Sequence, residues 1–181
     1  MPNWCSNTLV LGHEDPAQIT RAVEAFRRGE LLNEFVPLPA TEQENWYDWH
    51  VSNWGTKWDV GGTDSGDPQV DPSGRSVSFY FDSAWAPPVS WYERMQDLGF
   101  EVEAMYYESG MAFAGKYDES GDDYYEFSNM STDEVRDMLP EDLDQAFGIT
   151  DMMAEYEDEE PLTEWYVAGA KEKGLINDGN K

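Results

Sequence analysis

The sequence predicts an α+β domain in which an antiparallel sheet carries helices on one face. Three observations support this prediction. A strand pattern is followed by a helix pattern at residues 5–28, the same order returns at residues 75–107, and hairpin signals follow the second unit. Strand–helix units that end in hairpins indicate an α+β architecture, and this order fits the split βαβ arrangement of a ferredoxin-like fold.

The first unit is predicted at residues 5–28. The segment CSNTLVL at residues 5–11 has the composition of a strand, and Gly12 ends it. Asp15 is placed to cap the following helix, with Pro16 at its first position and Gly29 as a stop. Helical spacing puts four apolar residues on one face of this helix: Ile19, Ala22, Val23 and Phe26.

Three segments between the two units are predicted to lack regular structure. Residues 31–39 (LLNEFVPLP) form an extended connection limited by proline. The tryptophan-rich residues 46–59 form a rigid, packed loop. Residues 61–74, which are rich in Gly, Asp, Ser and Pro, form a solvated loop.

The second unit begins with a strand at residues 75–83, where Val77, Phe79 and Phe81 alternate with polar side chains. A helix follows the Pro87–Pro88 pair and stops at Gly99. Three further strands are then predicted, at residues 100–107, 111–117 and 124–127.

From Ser131 onward the pattern is helical. Ser131 and Glu134 have the spacing of a capping box, Pro140 begins a second helix, and Thr150 caps a third. A last helix is predicted to begin at Pro161 or Thr163. The chain is therefore expected to consist of a ferredoxin-like domain at residues 1–128 and an acidic helical appendage at residues 129–181.

The composition indicates a folded intracellular protein. Of the 181 residues, 40% are hydrophobic and 14% aromatic, whereas disordered acidic chains contain few aromatics. The sequence contains no apolar run long enough to span a membrane, and its first residues lack the pattern of a signal peptide. A single cysteine agrees with a reducing compartment, so we expect a cytoplasmic protein.

The charge is the strongest functional signal. The formal net charge is -27, and residues 101–160 hold 20 acids but only 2 bases by count of the sequence. A field of this sign repels nucleic acids and anionic membranes and attracts basic protein surfaces. The sequence thus predicts a basic protein partner, no direct binding of nucleic acid and no membrane association.

Four tryptophans lie within residues 46–58. They can form part of a core, an aromatic platform that stacks a ligand, or an interface, and the core interpretation is preferred. The platform would consist of Trp46, Trp49, Trp54 and Trp58.

His50 is the one candidate general acid or base, because Asp48 or Asp59 could orient its imidazole. No nucleophile–base arrangement accompanies it, and two histidines and one cysteine without ligand spacing do not indicate zinc. No catalytic residue beyond this weak candidate, no metal and no cofactor is predicted, and an enzyme is the less favoured interpretation.

Five segments resemble the YubB-like family, whose proteins have a ferredoxin-like domain and are carried by plasmids and bacteriophages. The segments are PNWCSN at residues 2–7, FVPLP at 35–39, NWGTKWD at 53–59, SAWAPP at 83–88 and YESGMAFAG at 107–115. The resemblance covers about the first 117 residues. It implies the fold and a bacterial setting on a mobile genetic element, and it supplies no catalytic mechanism.

The acidic residues suggest a mimic of nucleic acid. If Pro140 only bends the helical path, four acids at residues 133–144 fall near one face and form a row of carboxylates comparable to phosphates. The expected partner is a basic nucleic-acid-binding host protein, of restriction or CRISPR type, which the protein would inhibit. Tyr124 and Tyr125 would anchor the contact. The predicted phosphate surrogates are Asp118, Glu119, Asp122, Asp123, Glu126, Asp133, Asp137, Glu141, Asp144, Glu157, Asp158 and Glu159.

Two alternatives remain open from the sequence. The protein can be a small-ligand-binding or nucleotide-processing protein that uses a cleft at residues 46–59. It can also be an interaction module that forms a homodimer through exposed aromatic side chains.

Overall fold

The computed structural model describes residues 2–63 and 65–158 of the chain. The chain divides into two units, Met1–Asn129 and Met130–Lys181, which we call unit 1 and unit 2. The described residues form an α+β fold, as predicted.

Six antiparallel strands form the sheet of unit 1, in the order β2-β3-β1-β4-β5-β6. Their bounds are β1 (Trp4–Gly12), β2 (Gln69–Val70), β3 (Ser76–Ala84), β4 (Glu101–Glu108), β5 (Phe113–Asp118) and β6 (Gly121–Glu126).

The order of the first four strands is that of a ferredoxin-like fold. Strand β3 pairs antiparallel with both β1 and β2, so β1 and β2 run in the same direction on either side of it. This is the split βαβ arrangement, and β4 then pairs with the free side of β1. Strands β5 and β6 extend the sheet beyond β4.

The predicted caps of the first helix are confirmed. Helix α1 (Pro16–Arg28) begins after Asp15, whose carboxylate accepts a hydrogen bond from the Ala17 N–H at 2.9 Å. It ends at Gly29 in the left-handed region, at φ +73°, where the glycine avoids the strain of a side chain. The four predicted apolar residues of this helix are buried.

The connection after α1 differs from the prediction. Helix α2 (Leu31–Phe35) replaces the start of the expected extended segment, and a 3-10 helix (Ala40–Asn45) leads into helix α3 (Trp46–Asn53). The tryptophan-rich segment is therefore half helical rather than a loop. Neither α2 nor α3 has a side-chain cap from its adjacent residue, so the local start signal that identified α1 is missing.

Helix α4 (Val89–Asp97) packs on the same side of the sheet as α1. The side chains that point to this side, which we call the covered face, form the core of unit 1. They include Leu9 and Leu11 of β1, Phe79 of β3, and Trp91 and Met95 of α4.

The opposite side of the sheet, which we call the open face, carries polar and aromatic side chains. On β1 and β3 these are Trp4, Ser6, Tyr80 and Asp82, and all four are exposed. The alternation of buried and exposed residues along β3 confirms the predicted period of two.

Unit 2 consists, in its described part, of helices α5 (Thr132–Met138), α6 (Glu141–Phe147) and α7 (Ile149–Asp158). The predicted capping box is present: the Ser131 side chain accepts from the Glu134 N–H, and the Glu134 carboxylate accepts from the Ser131 N–H. The helix predicted to begin at residue 161 or 163 lies outside the described residues. Among the described helices, none has the length and apolar character needed to cross a bilayer.

Candidate functional site

The four clustered tryptophans are divided between core and surface. Trp54 is 2% exposed, and its Nε1–H donates to the Val36 carbonyl at 2.9 Å. Trp49 is half-buried and packs edge-on against Trp54. Trp46 and Trp58 remain 37% and 40% exposed. The core interpretation therefore describes Trp54 and Trp49, and the other two are surface side chains.

His50 has a structural environment. Its ring stacks on Trp54 with centroids 3.8 Å apart and planes at 18°. Its Nδ1 lies 2.9 Å from the Lys57 carbonyl oxygen, an arrangement in which Nδ1 carries the proton and donates it. These contacts hold the imidazole against the loop that follows α3. Asp59 is not among them.

Asp59 instead caps helix α2 from a distant part of the chain. Its carboxylate accepts from the Leu32, Asn33 and Val60 N–H groups at 2.7, 2.9 and 2.8 Å. Burial raises the pKa of Asp59 to about 6, against the lowering effect of these three hydrogen bonds. The predicted pairing of Asp59 with His50 is wrong, because this carboxylate is committed to backbone donors 26 and 27 residues earlier.

The β5–β6 hairpin holds five of the predicted phosphate surrogates. The Asp118 carboxylate accepts from the N–H and the hydroxyl of Ser120, and these bonds lower its pKa. The Tyr106 hydroxyl donates to Asp122 at 2.7 Å. Burial, with Asp123 and Glu93 nearby, raises the pKa of Asp122. Three further acids of the hairpin are exposed: Glu119, Asp123 and Glu126.

Two predicted surrogates of unit 2 stabilise its own fold. The Asp144 carboxylate accepts from the N–H and the hydroxyl of Thr150 at 2.8 and 2.6 Å, which joins α6 to α7. The Glu157 carboxylate accepts from the Thr132 N–H at 3.0 Å, which joins the end of α7 to the start of α5. These side chains have a structural role in addition to their charge.

Three more acids of unit 2 lie on its surface. Asp133 forms an ion pair with Arg136 at 3.0 Å, and Glu141 accepts from the Gln145 amide at 2.9 Å. Asp137 is exposed. Asp158 is the last residue of α7, and Glu159 lies outside the described residues.

The row of carboxylates predicted across Pro140 does not form on one helical face. Leu139 and Pro140 are both extended, with ψ of 143° and 136°, so α5 ends and α6 begins anew. Pro140 therefore does not bend one continuous helix. A proline drives the residue before it, here Leu139, out of the helical region. The prediction that Asp133, Asp137, Glu141 and Asp144 form one row is therefore wrong.

The structure adds two acids that the sequence interpretation missed. Glu93 and Asp97 of α4 lie near the Tyr117 hydroxyl, which donates to Gln96 at 2.7 Å. Burial and these surrounding carboxylates raise the pKa of Tyr117 to about 12. The spacing of four residues between Glu93 and Asp97 places both on one side of the helix. This spacing is the sequence signal that could have identified them.

These side chains define a surface that we call the acidic cluster. Gln96 of α4 also donates to the Asp118 carbonyl at 3.1 Å, which ties the helix to the hairpin. Two separate elements therefore hold like charges close together. The acidic cluster consists of Glu93, Asp97, Asp118, Asp122 and Asp123.

Cys5 is not a reactive thiol in this structure. It is fully buried in β1, and burial raises its pKa to about 12. Among the described residues, no group of three or more His, Cys, Asp or Glu side chains is arranged to hold a metal ion.

Comparisons with known proteins give one similar solved structure. No family model and no curated protein matches the chain. The crystal structure of the protein api92 from Yersinia pseudotuberculosis, of the DUF1281 family, matches at a TM-score of 0.48 and 10% identity. The match covers 69% of this chain and 98% of that one.

Proposed function

We propose that this protein is an acidic mimic of the nucleic-acid backbone that inhibits a basic nucleic-acid-binding protein. In this proposal it acts in the bacterial cytoplasm, is encoded by a phage or plasmid, and occupies the groove of a restriction or CRISPR-type defence protein. The observation that carries the proposal is the acidic cluster of unit 1.

The acidic cluster supplies fixed negative charge. Its carboxylates belong to a helix and a hairpin that are joined by the Gln96–Asp118 hydrogen bond, so their positions do not depend on flexible segments. Asp122 and Asp123 are consecutive residues of β6, so their side chains point to opposite faces of the strand. A partner therefore meets carboxylates on both sides of this edge strand, as it meets phosphates along a nucleic-acid strand.

The close approach of like charges favours a role in binding over a role in folding. Burial is the main cause of the raised pKa of Asp122, and the neighbouring carboxylates of Asp123 and Glu93 raise it further, so they add to the destabilisation of its ionised form. The hairpin contains five acids and one base, Lys116, and the described part of unit 2 contains ten acids and one base, Arg136. A basic groove would relieve this repulsion, and long-range attraction would accelerate association.

The ordinary alternative is that the charges keep the edge strand β6 from pairing with other chains. Charged side chains on edge strands serve this purpose in many proteins. The two explanations differ because protection of an edge requires no partner, whereas mimicry requires a basic protein whose binding weakens as salt is added.

The test is a capture experiment from a bacterial host lysate, with the protein as bait and washes of rising salt. In a cluster variant, Glu93→Gln, Asp97→Asn, Asp122→Asn and Asp123→Asn remove four charges. Asp118 is kept because it stabilises the turn. The matched control variant removes four exposed charges elsewhere in unit 1: Glu14→Gln, Glu24→Gln, Glu44→Gln and Asp67→Asn.

We expect the wild type and the control variant to retain the same nucleic-acid-binding protein at low salt and to release it at high salt. The cluster variant should retain little of it. Equal capture by the two variants, or no salt-sensitive protein in any sample, would reject the proposal.

A further inference from the structure

Three tryptophans are exposed at one end of the sheet, opposite to the end that carries the β5–β6 turn. Trp4, Trp58 and Trp85 are 49%, 40% and 46% exposed. The Trp4 and Trp58 rings are in contact, with centroids 5.9 Å apart. Trp85 directly follows Ala84, the partner of Trp4 in the sheet, and its N–H donates to the Asn3 carbonyl. We call these three side chains the tryptophan corner.

The backbone of one of these tryptophans, Trp85, is strained. Trp85 has a φ of +74°, in the left-handed region that a bulky residue rarely adopts. Such a conformation costs on the order of 1 to 3 kcal/mol, and residues of this kind cluster at functional positions. A buried indole would offset that strain by packing, but nearly half of Trp85 faces solvent. The strain therefore indicates that the exposed indole of Trp85 has a functional role.

The ring faces of this region already bind a cation of the chain itself. The Lys57 Nζ lies 4.7 Å from the centroid of Trp58 and 5.6 Å from that of Tyr47. Both distances are within the range of cation–π attraction. The exposed ring of Trp4 lies next to Trp58 and offers a further site of the same chemistry.

A carboxylate lies beside Trp4 on the open face. Trp4 pairs with Ala84 and Ser6 with Asp82, so Asp82 is the diagonal neighbour of Trp4, at a typical separation of about 7 Å. The Ser6 hydroxyl donates to Asp82 Oδ1 at 2.9 Å and orients the carboxylate. Within the described residues, Asp82 forms no ion pair.

We propose that Trp4 and Asp82 form a site for an arginine side chain of a cationic partner protein. A guanidinium is planar, so it can stack on the exposed indole while its edge donates two hydrogen bonds to the carboxylate. This inference is independent of the acidic cluster and of the proposed mimicry.

Charge decides among the possible occupants of this surface. Nucleic acids and anionic membranes are polyanions, and a second copy of the chain would also carry a charge of -27. All three are repelled at physiological salt. A cationic polypeptide is attracted, and arginine suits an indole next to a carboxylate better than lysine does, because lysine has no planar face to stack.

The experiment compares two synthetic peptides of equal length and charge, one alternating Arg and Gly, the other alternating Lys and Gly. Isothermal titration calorimetry at about 0.15 M salt gives both dissociation constants for the full chain. We expect the arginine peptide to bind roughly 3- to 10-fold more tightly, the gain from one additional hydrogen bond that only the planar guanidinium can donate to the carboxylate while it stacks. The ratio of the two constants is the readout, because it cancels the attraction that any cationic peptide feels.

Two variants and one control locate the preference. Asp82→Asn keeps the hydrogen bond from Ser6 and the fold, and Trp4→Leu removes the ring. Each should bring the ratio close to one. Glu103→Gln removes an exposed charge from the same face on β4 and should leave the ratio unchanged.

Equal affinity for the two peptides, no binding of either, or a ratio unaffected by Asp82→Asn would overturn the inference. The result for Asp82→Asn decides even if Trp4→Leu does not fold, because the asparagine variant changes no packing contact.

Discussion

The Tyr106 hydroxyl on β4 donates to Asp122 on β6 at 2.7 Å, across the intervening strand β5. The residue of β5 that pairs with Tyr106 is Gly115, and a Cβ at that position would overlap the Tyr106 hydroxyl and approach the Asp123 carbonyl. The missing side chain of Gly115 lets the tyrosine ring lie over β5 and position one carboxylate of the acidic cluster.

Gly115→Ala should therefore destabilise unit 1. We expect a loss of about 1 to 3 kcal/mol in the free energy of unfolding, the usual cost of overpacking, because the added methyl group displaces the Tyr106 ring. Urea unfolding followed by circular dichroism measures the change. Gly66→Ala is the matched control, because a Cβ there meets no atom within 4 Å and its φ is not positive. A similar small loss in both variants would contradict this account of Gly115.

Asp122→Asn should leave the fold intact or stabilise it slightly while it weakens partner binding. The asparagine oxygen still accepts from Tyr106, and the repulsion from Glu93 and Asp123 disappears. Because the side chain is largely exposed, we expect a gain of only a few tenths of a kcal/mol at neutral pH. The melting temperature measures it. A clear decrease would show that the ionised form of Asp122 stabilises the hairpin.

The pH dependence of stability should contain a contribution from Asp59. Its pKa is raised to about 6 in the folded protein, so between about pH 4 and 6 the folded state holds a proton that the unfolded state releases. This contribution to stability is fully present below pH 4 and is lost as the pH rises through 6. A pKa raised from about 4 to about 6 corresponds to roughly 2 to 3 kcal/mol of folding stability.

The difference between the wild type and Asp59→Asn isolates this contribution. Asp71, Asp118 and Glu134 have lowered pKa values and act with the opposite sign, but they are the same in both proteins. Urea unfolding at pH 4 and pH 7 should show that the wild type loses more stability over this range than the variant. Equal losses would contradict the raised pKa of Asp59.

Added sodium chloride should raise the melting temperature at neutral pH. The net charge of -27 makes the folded chain repel itself, and salt screens this repulsion as the Debye length falls from about 10 Å at 0.1 M to 3 Å at 1 M. Chloride is preferred to sulfate because sulfate also strengthens hydrophobic burial. A melting temperature that falls as sodium chloride is added would contradict the repulsion.

The fold was predictable where its signals are local. Asp15, Gly29 and Ser131 act on residues within a few positions of themselves, and the elements that they bound were predicted. Helix α2 was missed because its cap, Asp59, comes from 27 residues later in the chain. No pattern within residues 31–39 contains that information.

The candidate site was predictable in part for the same reason. The sequence alone identifies the acids of the hairpin, since they lie close together along the chain. The sequence does not reveal that Glu93 of α4 contributes to raising the pKa of Asp122, because this interaction depends on how the helix packs on the sheet. It also does not separate Asp144, which stabilises the α6–α7 junction, from exposed acids such as Asp137.

Competition with DNA tests the proposed mimicry most directly. The partner retained in the capture experiment is incubated with labelled double-stranded DNA, and this protein is added at rising concentrations while fluorescence anisotropy reports the bound DNA. Mimicry predicts full displacement by the wild type and by the control variant, and weak displacement by the cluster variant. A complex that holds the partner, the DNA and this protein together would contradict the central claim.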